Sequence, residues 1–246
     1  MALKGRRVAE DRRQTLIFDG DDTLWENNIY FERAIADFIR WLDHATLSAE
    51  QVRSVIDEVE HANIGVHGYG ALALGASLRE VVVRLRSRDL DEGELAAVEG
   101  FAGRILEQPV EVIPGVAPTL TALAGEHVLA LLTKGHAKEQ RLKIERSGLD
   151  HHFAHLFVVP EKDAAVYRTV LSELGSDTGS TWMIGNSPRS DINPALAAGL
   201  NAVFIPHAET WRLEHQELDA APVGQRLLIL ERFTDLTGVF PLTLPG

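Results

Sequence analysis

Short runs of β-branched residues and leucine recur along the chain, each bounded by turn residues: Leu16–Phe18, Val128–Leu132, Leu156–Val159, Thr181–Ile184 and Ala202–Ile205. Their near-continuous apolar character predicts strands buried on both faces. Between them, apolar positions return at helical spacing over Pro118–Leu123, Ala137–Ser147, Asp163–Leu174 and Pro194–Ala198. The last three stop before Gly148, Gly175 and Gly199, a residue that accepts the left-handed conformation closing a helix. A further apolar run, Leu227–Leu230, predicts a last strand near the C-terminus. Strands alternating with helices imply an α/β fold, a Rossmann-like three-layer core with a parallel sheet between two layers of helices.

Residues 28–106 break this alternation. Phe31, Ala34, Ile35, Phe38, Ile39 and Leu42 keep a 3.6-residue period, as do Val52, Val55, Ile56 and Val59, and then Leu78, Val81, Val82 and Leu85. The segment reads as an all-helical insertion after the first strand, with residues 1–27 and 107–246 forming the core. Pro109 and Pro114 mark the return crossing. Within the insertion, Gly65, Gly68, Gly70 and Gly75 crowd the stretch "NIGVHGYGALALG". Glycine costs about 1 kcal/mol relative to alanine in a helix interior, so a loop is expected there.

Composition narrows the function. With 246 residues and 45% hydrophobic content, the chain can bury a large core without staples. Cysteine is absent, which excludes disulfides, thiolate nucleophiles and zinc–thiolate sites and suits a reducing compartment such as the cytoplasm. A net charge of -12 argues against nucleic acid as a partner, because phosphate backbones are met by clustered Lys and Arg. No apolar run approaches the ~20 residues of a membrane span. The first fourteen residues carry Lys4, Arg6, Arg7, Arg12 and Arg13 and no apolar stretch follows them, so a solvated tail is expected rather than a secretory signal.

Ligands of an open parallel sheet sit beyond the carboxyl ends of its strands. The first strand ends on Asp19-Gly20-Asp21-Asp22-Thr23 and the second on Thr133-Lys134-Gly135. Glu161-Lys162-Asp163 follows the third, and Gly185-Asn186-Ser187, with Asp191 beyond, follows the fourth. Carboxylates gathered at one edge repel unless a hard cation or a shared proton relieves them, and oxygen-only donors suit Mg²⁺. A hydroxyl and an ammonium beside such a site can hold the oxygens of a transferring phosphoryl group.

In these residues the chain resembles the haloacid dehalogenase superfamily, specifically its Mg²⁺-dependent phosphatases with a helical cap after the first strand. The resemblance rests on "DGDDT", "LLTKG", "EKD" and "GNSPRSD", four motifs in order, and covers roughly residues 16–206. It implies a phosphomonoester hydrolase for a small phosphorylated metabolite, working through an aspartyl-phosphate. Asp19 would attack phosphorus, and Asp21 would protonate the leaving oxygen and then activate water. Thr133 and Lys162 would bind the phosphoryl group. Mg²⁺ would be held by Asp19, Asp191 and the backbone carbonyl of Asp21, with Asn186 binding directly or through water.

Asn186 departs from the family pattern, which more often has Asp there, and a raised Mg²⁺ requirement is expected. Asp22 is expected to be a turn residue. Lys134, Gly135 and His136 are further candidates for substrate contact beside Thr133, as are His67 and Tyr69 in the insertion. Trp25 is expected to pack at the hinge, Phe38 and Trp41 in a core stripe, and His151, His152 and His155 in a surface turn. Two alternatives remain: a 2-haloacid dehalogenase, against which the acidic Asp21 argues, and a catalytically weak sensor of phosphorylated ligands, supported by Asn186. Phosphonate cleavage would need a Schiff-base lysine from the insertion, which has no lysine. Substrate identity and oligomeric state are not encoded in any motif.

Overall fold

The computed structural model describes residues 13–240 and 242. Most of the basic N-terminal segment therefore lies outside the described residues. The chain divides into two compact units, one made of the residues up to Glu26 and from Val110 onward, the other of Asn27–Pro109.

The first unit is built on six parallel strands, β1 (Thr15–Phe18), β2 (Val128–Lys134), β3 (His155–Val159), β4 (Thr181–Gly185), β5 (Asn201–Phe204) and β6 (Leu227–Ile229). Their order is β3-β2-β1-β4-β5-β6, so the chain reverses its direction of travel across the sheet between β1 and β4. A reversal of this kind opens a crevice at the strand tips. Successive residues of β1 serve opposite layers. Leu16 and Phe18 join one core with Leu129, Leu131, Trp182, Ile184 and Leu120, whereas Ile17 joins another with Ala130, Leu132, Met183, Tyr167 and Ala195. The two central strands, β1 and β4, are buried throughout, as their sequence requires. The edges are not: Leu156 in β3 is 48% exposed and Ile229 in β6 is 42% exposed, because an edge strand has a neighbour on one side only.

The helices following Val116, Ala137 and Ala164 cover the sheet. With the four of the insertion counted first, they are α5 (Val116–Ala124), α6 (Ala137–Ser147) and α7 (Ala164–Leu174). The expected helix over Pro194–Ala198 is the short α8 (Asn193–Ala197), and a single π turn, Pro188–Ile192, leads into it. π turns concentrate where a side chain must be re-aimed, and this one carries Asp191.

The second unit is all helical: α1 (Asn28–Leu42), α2 (Ala49–His67), α3 (Ala71–Arg86) and α4 (Glu92–Glu107). Reciprocal capping boxes start α2, from Ser48 with Gln51, and α4, from Asp91 with Glu94. Phe38, Ile56, Leu78, Val82 and Val98 fill its core, and Trp41 packs on Phe38 and Phe101. The expected loop around the glycines shrinks to residues 68–70, with Gly65 inside α2 and Gly75 inside α3. Gly75 has a packing reason, since a Cβ there would stand 3.1 Å from that of Ala102 on α4. Nothing in the surroundings explains Gly65. No helix among the described residues is long and apolar enough to cross a membrane.

Candidate active site

Asp19 is the first residue past β1, and its N–H donates to Ile184 O at 2.9 Å, which fixes it beside the tip of β4. Lys162 comes in after β3 and is fully buried at its ammonium end. Its Nζ donates to Asp19 Oδ1 at 2.5 Å and to Asp191 Oδ1 at 2.8 Å. Asp191 reaches this point because the π turn folds back on β4, where its Oδ2 accepts the Ser187 N–H at 3.0 Å. Gly185 makes the return possible, since a Cβ at that position would lie 2.2 Å from Asp191 Oδ2.

Two buried carboxylates thus share one ammonium. Burial, then the neighbouring Asp191, pushes Asp19 up to about 7 against the opposing pull of Lys162. For Lys162, burial disfavours the charge, but Asp19 and Asp191 outweigh it and hold the proton on the amine.

Thr23 Oγ1 donates to Asn186 Oδ1 at 3.1 Å and lies 3.4 Å from Asp19 Oδ2. Asn186 Nδ2 in turn donates to Thr210 Oγ1 at 2.9 Å, and that hydroxyl donates to His207 O at 2.9 Å. With its proton committed to a carbonyl, Thr210 offers residue 186 only lone pairs. An amide meets that demand and a carboxylate does not.

Asp21 lies two residues on and has a different set of partners. Trp25 Nε1 donates to its Oδ1 at 2.7 Å, Gln140 Nε2 to its Oδ2 at 2.9 Å, and Lys143 Nζ to both oxygens at 2.9 and 2.8 Å. Burial would raise this carboxyl, but the Lys143 charge, with hydrogen bonds from Lys143, Gln140 and Trp25, holds it below the usual carboxylate range. Gly20 makes room for the indole: a Cβ there would meet the Trp25 ring at 2.7 Å. Thr133, 1% exposed, donates to Gln140 Oε1 at 3.2 Å, so one amide spans Thr133 and Asp21.

The other candidates separate by position. Lys134 differs from expectation. Its Nζ is turned into a buried cluster, 2.5 Å from Glu214 Oε1 and 2.7 Å from Ser190 Oγ, where it pins the π turn to β2. Its ammonium is thereby held by Glu214 and Ser190 on the side of the π turn. Gly135 has φ +138 and donates its N–H to Val159 O, and His136, half-exposed, opens α6. Asp22 adopts φ 58 inside the turn after β1. In the helical unit His67 closes α2 and lines a groove of about 500 Å³ with Arg79, Glu80 and Leu90, while Tyr69 sits in the connection to α3. His151 and His152 fall in a short 3₁₀ turn, but His155 belongs to β3.

Sequence reasoning left Gln140, Lys143, Thr210 and Glu214 out, placed Thr23 in the first motif without a role, and gave Trp25 packing alone. Trp25 does bridge to Val112 beside the crossing between the units' sequences, yet its indole also serves Asp21. The one available signal was the three-residue spacing of Gln140 and Lys143, which puts both on one face of the helix after the Thr133 motif.

A family model for haloacid dehalogenase-like hydrolases matches residues 14–199. The chain belongs to that family. Among solved structures it is similar to a haloacid dehalogenase-like family hydrolase from Xanthomonas campestris, at 31% identity and a TM-score of 0.76, covering 91% of this chain and 92% of that one. Among curated proteins it is 30% identical over 99 residues to the phosphoserine phosphatase of Thermus thermophilus, a match covering 38% of each chain. It is 29% identical over 99 residues to the pyrimidine 5′-nucleotidase YjjG of Escherichia coli, covering 38% of this chain and 44% of that protein. The matched stretch therefore spans less than half of either curated relative. The 2-haloacid dehalogenase of Pseudomonas syringae shares the fold at 18% identity and a TM-score of 0.60, covering 92% of this chain and 96% of that one.

Proposed function

We propose that this family member is a Mg²⁺-dependent phosphomonoester hydrolase acting on a small phosphorylated metabolite. The observation that carries the proposal is the pair of carboxylates at the tip of β1, Asp19 against Lys162 and Asp191, and Asp21 in a separate hydrogen-bonded setting. The named substrates of the curated relatives, phosphoserine and pyrimidine 5′-nucleotides, agree with a phosphate ester as substrate class.

The donor set fits a hard divalent cation. Asp19, Asp191, Asn186 Oδ1 and the Asp21 carbonyl offer oxygen only, and the two acidic ligands have a single ammonium between them. When bound by these residues, Mg²⁺ supplies positive charge against the phosphoryl oxygens as charge shifts onto them.

The chain's own residues do the rest. An Asp19 oxygen attacks phosphorus as the ester P–O bond breaks, and the electron pair leaves on the substrate oxygen, which takes a proton from Asp21; Lys143 keeps that carboxyl ionised in the free site, so it acts as acid only after gaining a proton in the substrate complex. Asp21, now ionised, takes a proton from water as that water attacks the aspartyl-phosphate, releasing phosphate and restoring Asp19. Lys162 and the Thr133 hydroxyl hold the phosphoryl oxygens, Thr133 by turning its proton away from Gln140. Dehalogenation by the same nucleophile has no use for a proton-transferring carboxylate at position 21.

The test is turnover of an aryl phosphate, and of a panel of phosphorylated metabolites, by wild type and Asp19→Asn in the presence of Mg²⁺. Activity that depends on Asp19 supports the reading. Ligand binding without Asp19-dependent turnover of any ester favours the sensor alternative, to which Asn186 points.

A further inference from the structure

Asp191 accepts Lys162 Nζ on one oxygen and the Ser187 N–H on the other, which sets its carboxylate relative to those two residues. Where Ser187 itself stands is settled elsewhere. Ser187 is the hub of the π turn: its carbonyl accepts the N–H of Asp191 at 2.9 Å and of Ile192 at 3.1 Å, and its Oγ accepts the Ser190 N–H at 2.9 Å. All of these bonds stay inside the turn. The Ser187 bond that leaves it is made by the hydroxyl proton, which goes to Glu214 Oε2 at 2.6 Å.

Glu214 closes the 3₁₀ turn Arg212–Glu214 in the connection from β5 to β6 and is 7% exposed. Its carboxylate gathers three donors. Ser187 and Ser190 both donate to Oε2, Ser190 at 2.5 Å, and Lys134 Nζ donates to Oε1 at 2.5 Å. Burial would raise this carboxyl, but the Lys134 charge, with hydrogen bonds from Lys134, Ser187 and Ser190, holds it below its ordinary value. No step of the proposed reaction uses this buried charge. Its neighbours in the chain face the same way: Leu213 O accepts Arg189 Nη1 at 2.9 Å, and Thr210 Oγ1 accepts Asn186 Nδ2 at 2.9 Å. The single segment Thr210–Glu214 thus supports both Asn186 and the turn that carries Asp191.

We propose that Glu214 is a positioning residue for Asp191, acting through the hydroxyls of Ser187 and Ser190, and that the divalent-cation affinity of the site depends on it. The proposal rests on the Mg²⁺-dependent reading given above. Groups that hold metal ligands in place are worth ~10–100-fold in metal affinity. Among the described contacts Glu214 bonds none of Asp19, Asp21, Thr133 and Lys162, so its effect falls on cation binding and not on phosphoryl binding or proton transfer. Glu214→Gln removes the support at constant size. An amide cannot serve all three donors, because its NH₂ group must face either the two hydroxyls or the Lys134 ammonium.

The test uses Mn²⁺ as the probe, its binding followed by the EPR signal of the free ion, together with the Mg²⁺ dependence of 4-nitrophenyl phosphate turnover. Asp191→Ala should abolish the Mn²⁺ site. Glu214→Gln is expected to raise both the Mn²⁺ dissociation constant and the Mg²⁺ concentration for half-maximal activity by ~10–100-fold. At saturating Mg²⁺, its kcat and KM should stay within ~3-fold of wild type, since the groups that meet the ester are untouched. Ser187→Ala should weaken Mn²⁺ in the same direction, and adding Glu214→Gln to it should change the affinity by less than ~3-fold, because both act through one link. Arg53→Met, which breaks a buried ion cluster in the other unit, should leave Mn²⁺ affinity unchanged.

A Glu214→Gln protein that loses stability to urea yet binds Mn²⁺ within ~3-fold of wild type makes Glu214 a scaffold residue and overturns the proposal. Losses that multiply in the double variant overturn it too, and both results leave the phosphatase reading intact. Wild type that binds no Mn²⁺, or Asp191→Ala that binds it as wild type does, overturns the reading of the metal site and the proposal with it. If Glu214→Gln does not fold, Glu214→Asp, which keeps the charge and shortens the reach, carries the same comparison.

Discussion

A buried cation stands between carboxylates in each unit of this molecule, and the two can be set side by side. Lys162 in the sheet unit holds Asp19 and Asp191, and Arg53 in the helical unit holds Glu32 on α1 and Asp57 one turn along α2. Each neighbourhood has more acid than base, and each contains a carboxyl pushed up to about 7. Asp19 is raised by burial and Asp191; Glu60 is raised by burial, which outweighs the pull of Arg53. Perturbed acidity therefore does not by itself distinguish a reaction centre from a structural knot. What distinguishes them is where the chain brings its ends. The Arg53 fork makes a two-bond pair with Glu32 and adds a bond from Nε to Asp57 at 2.7 Å, stapling two helices. The Lys162 ammonium closes no such fork, and its carboxylates stand beyond the strand tips on the edge that also carries Thr133 and Asp21.

The largest expected effect falls on one side of this comparison only. Asp19→Asn should lower kcat on an aryl phosphate by ~10³-fold or more, because a covalent nucleophile has no substitute. Residual turnover within ~10-fold of wild type would place the nucleophile elsewhere.

Breaking either cluster should cost stability, and by similar amounts. Lys162→Met and Arg53→Met each strand buried carboxylates, a change worth about 3–5 kcal/mol. Urea unfolding with and without Mg²⁺ then separates them. Mg²⁺ is expected to recover part of the Lys162→Met loss, and none of the Arg53→Met loss. Equal recovery in both would mean that the Lys162 cluster binds Mg²⁺ no better than the Arg53 cluster.

Glu60 sharpens the contrast through pH. A carboxyl raised in the folded state binds protons there that the unfolded chain has released, so its stabilising contribution is full below about pH 4.5 and is lost as pH rises through about 7. Glu60→Gln should flatten that part of the stability profile, by roughly 1–3 kcal/mol between those limits. Matching slopes in wild type and variant would show that Glu60 is charged when folded.

The smallest effect is expected at Asn186. Asn186→Asp adds a negative ligand and should lower the Mg²⁺ concentration for half-maximal activity by about tenfold, equivalent to about 1.4 kcal/mol. The substitution also removes the donor that Thr210 accepts, so stability measured without Mg²⁺ should fall by about 1 kcal/mol. An unchanged Mg²⁺ requirement would remove Asn186 from the site.

Much of this was legible in the chain. Leu16–Phe18, Val128–Leu132 and Thr181–Ile184 read as strands because two-sided burial leaves no polar position in them. Gly148 and Gly175 read as stops because both take positive φ, +67 and +61. Asp19, Thr133, Lys162 and Asp191 could be placed at one edge because every parallel strand ends on the same side. The glycines at 65 and 75 misled, since the tolerance of α3 for Gly75 depends on Ala102, which is distant in sequence. The Glu214 partner of Lys134, eighty residues on, gives no local sign of itself in the sequence.

By itself, then, the sequence determined the alternation of strands and helices, the insertion after β1, and which residue types arrive at the catalytic edge. These are properties of short windows, in which periodicity and turn chemistry act directly on the backbone. Only the tertiary structure decided which side chains meet. It joined Gln140 and Lys143 to Asp21 over 119 and 122 residues, and Asn186 to Thr23 over 163. Hydrogen bonds over such separations depend on sheet order and on the re-aiming of one π turn, and no local pattern encodes them. That is why the three aspartates after β1, alike on the page, came apart into a carboxylate against Lys162, a carboxylate held by α6, and a turn residue.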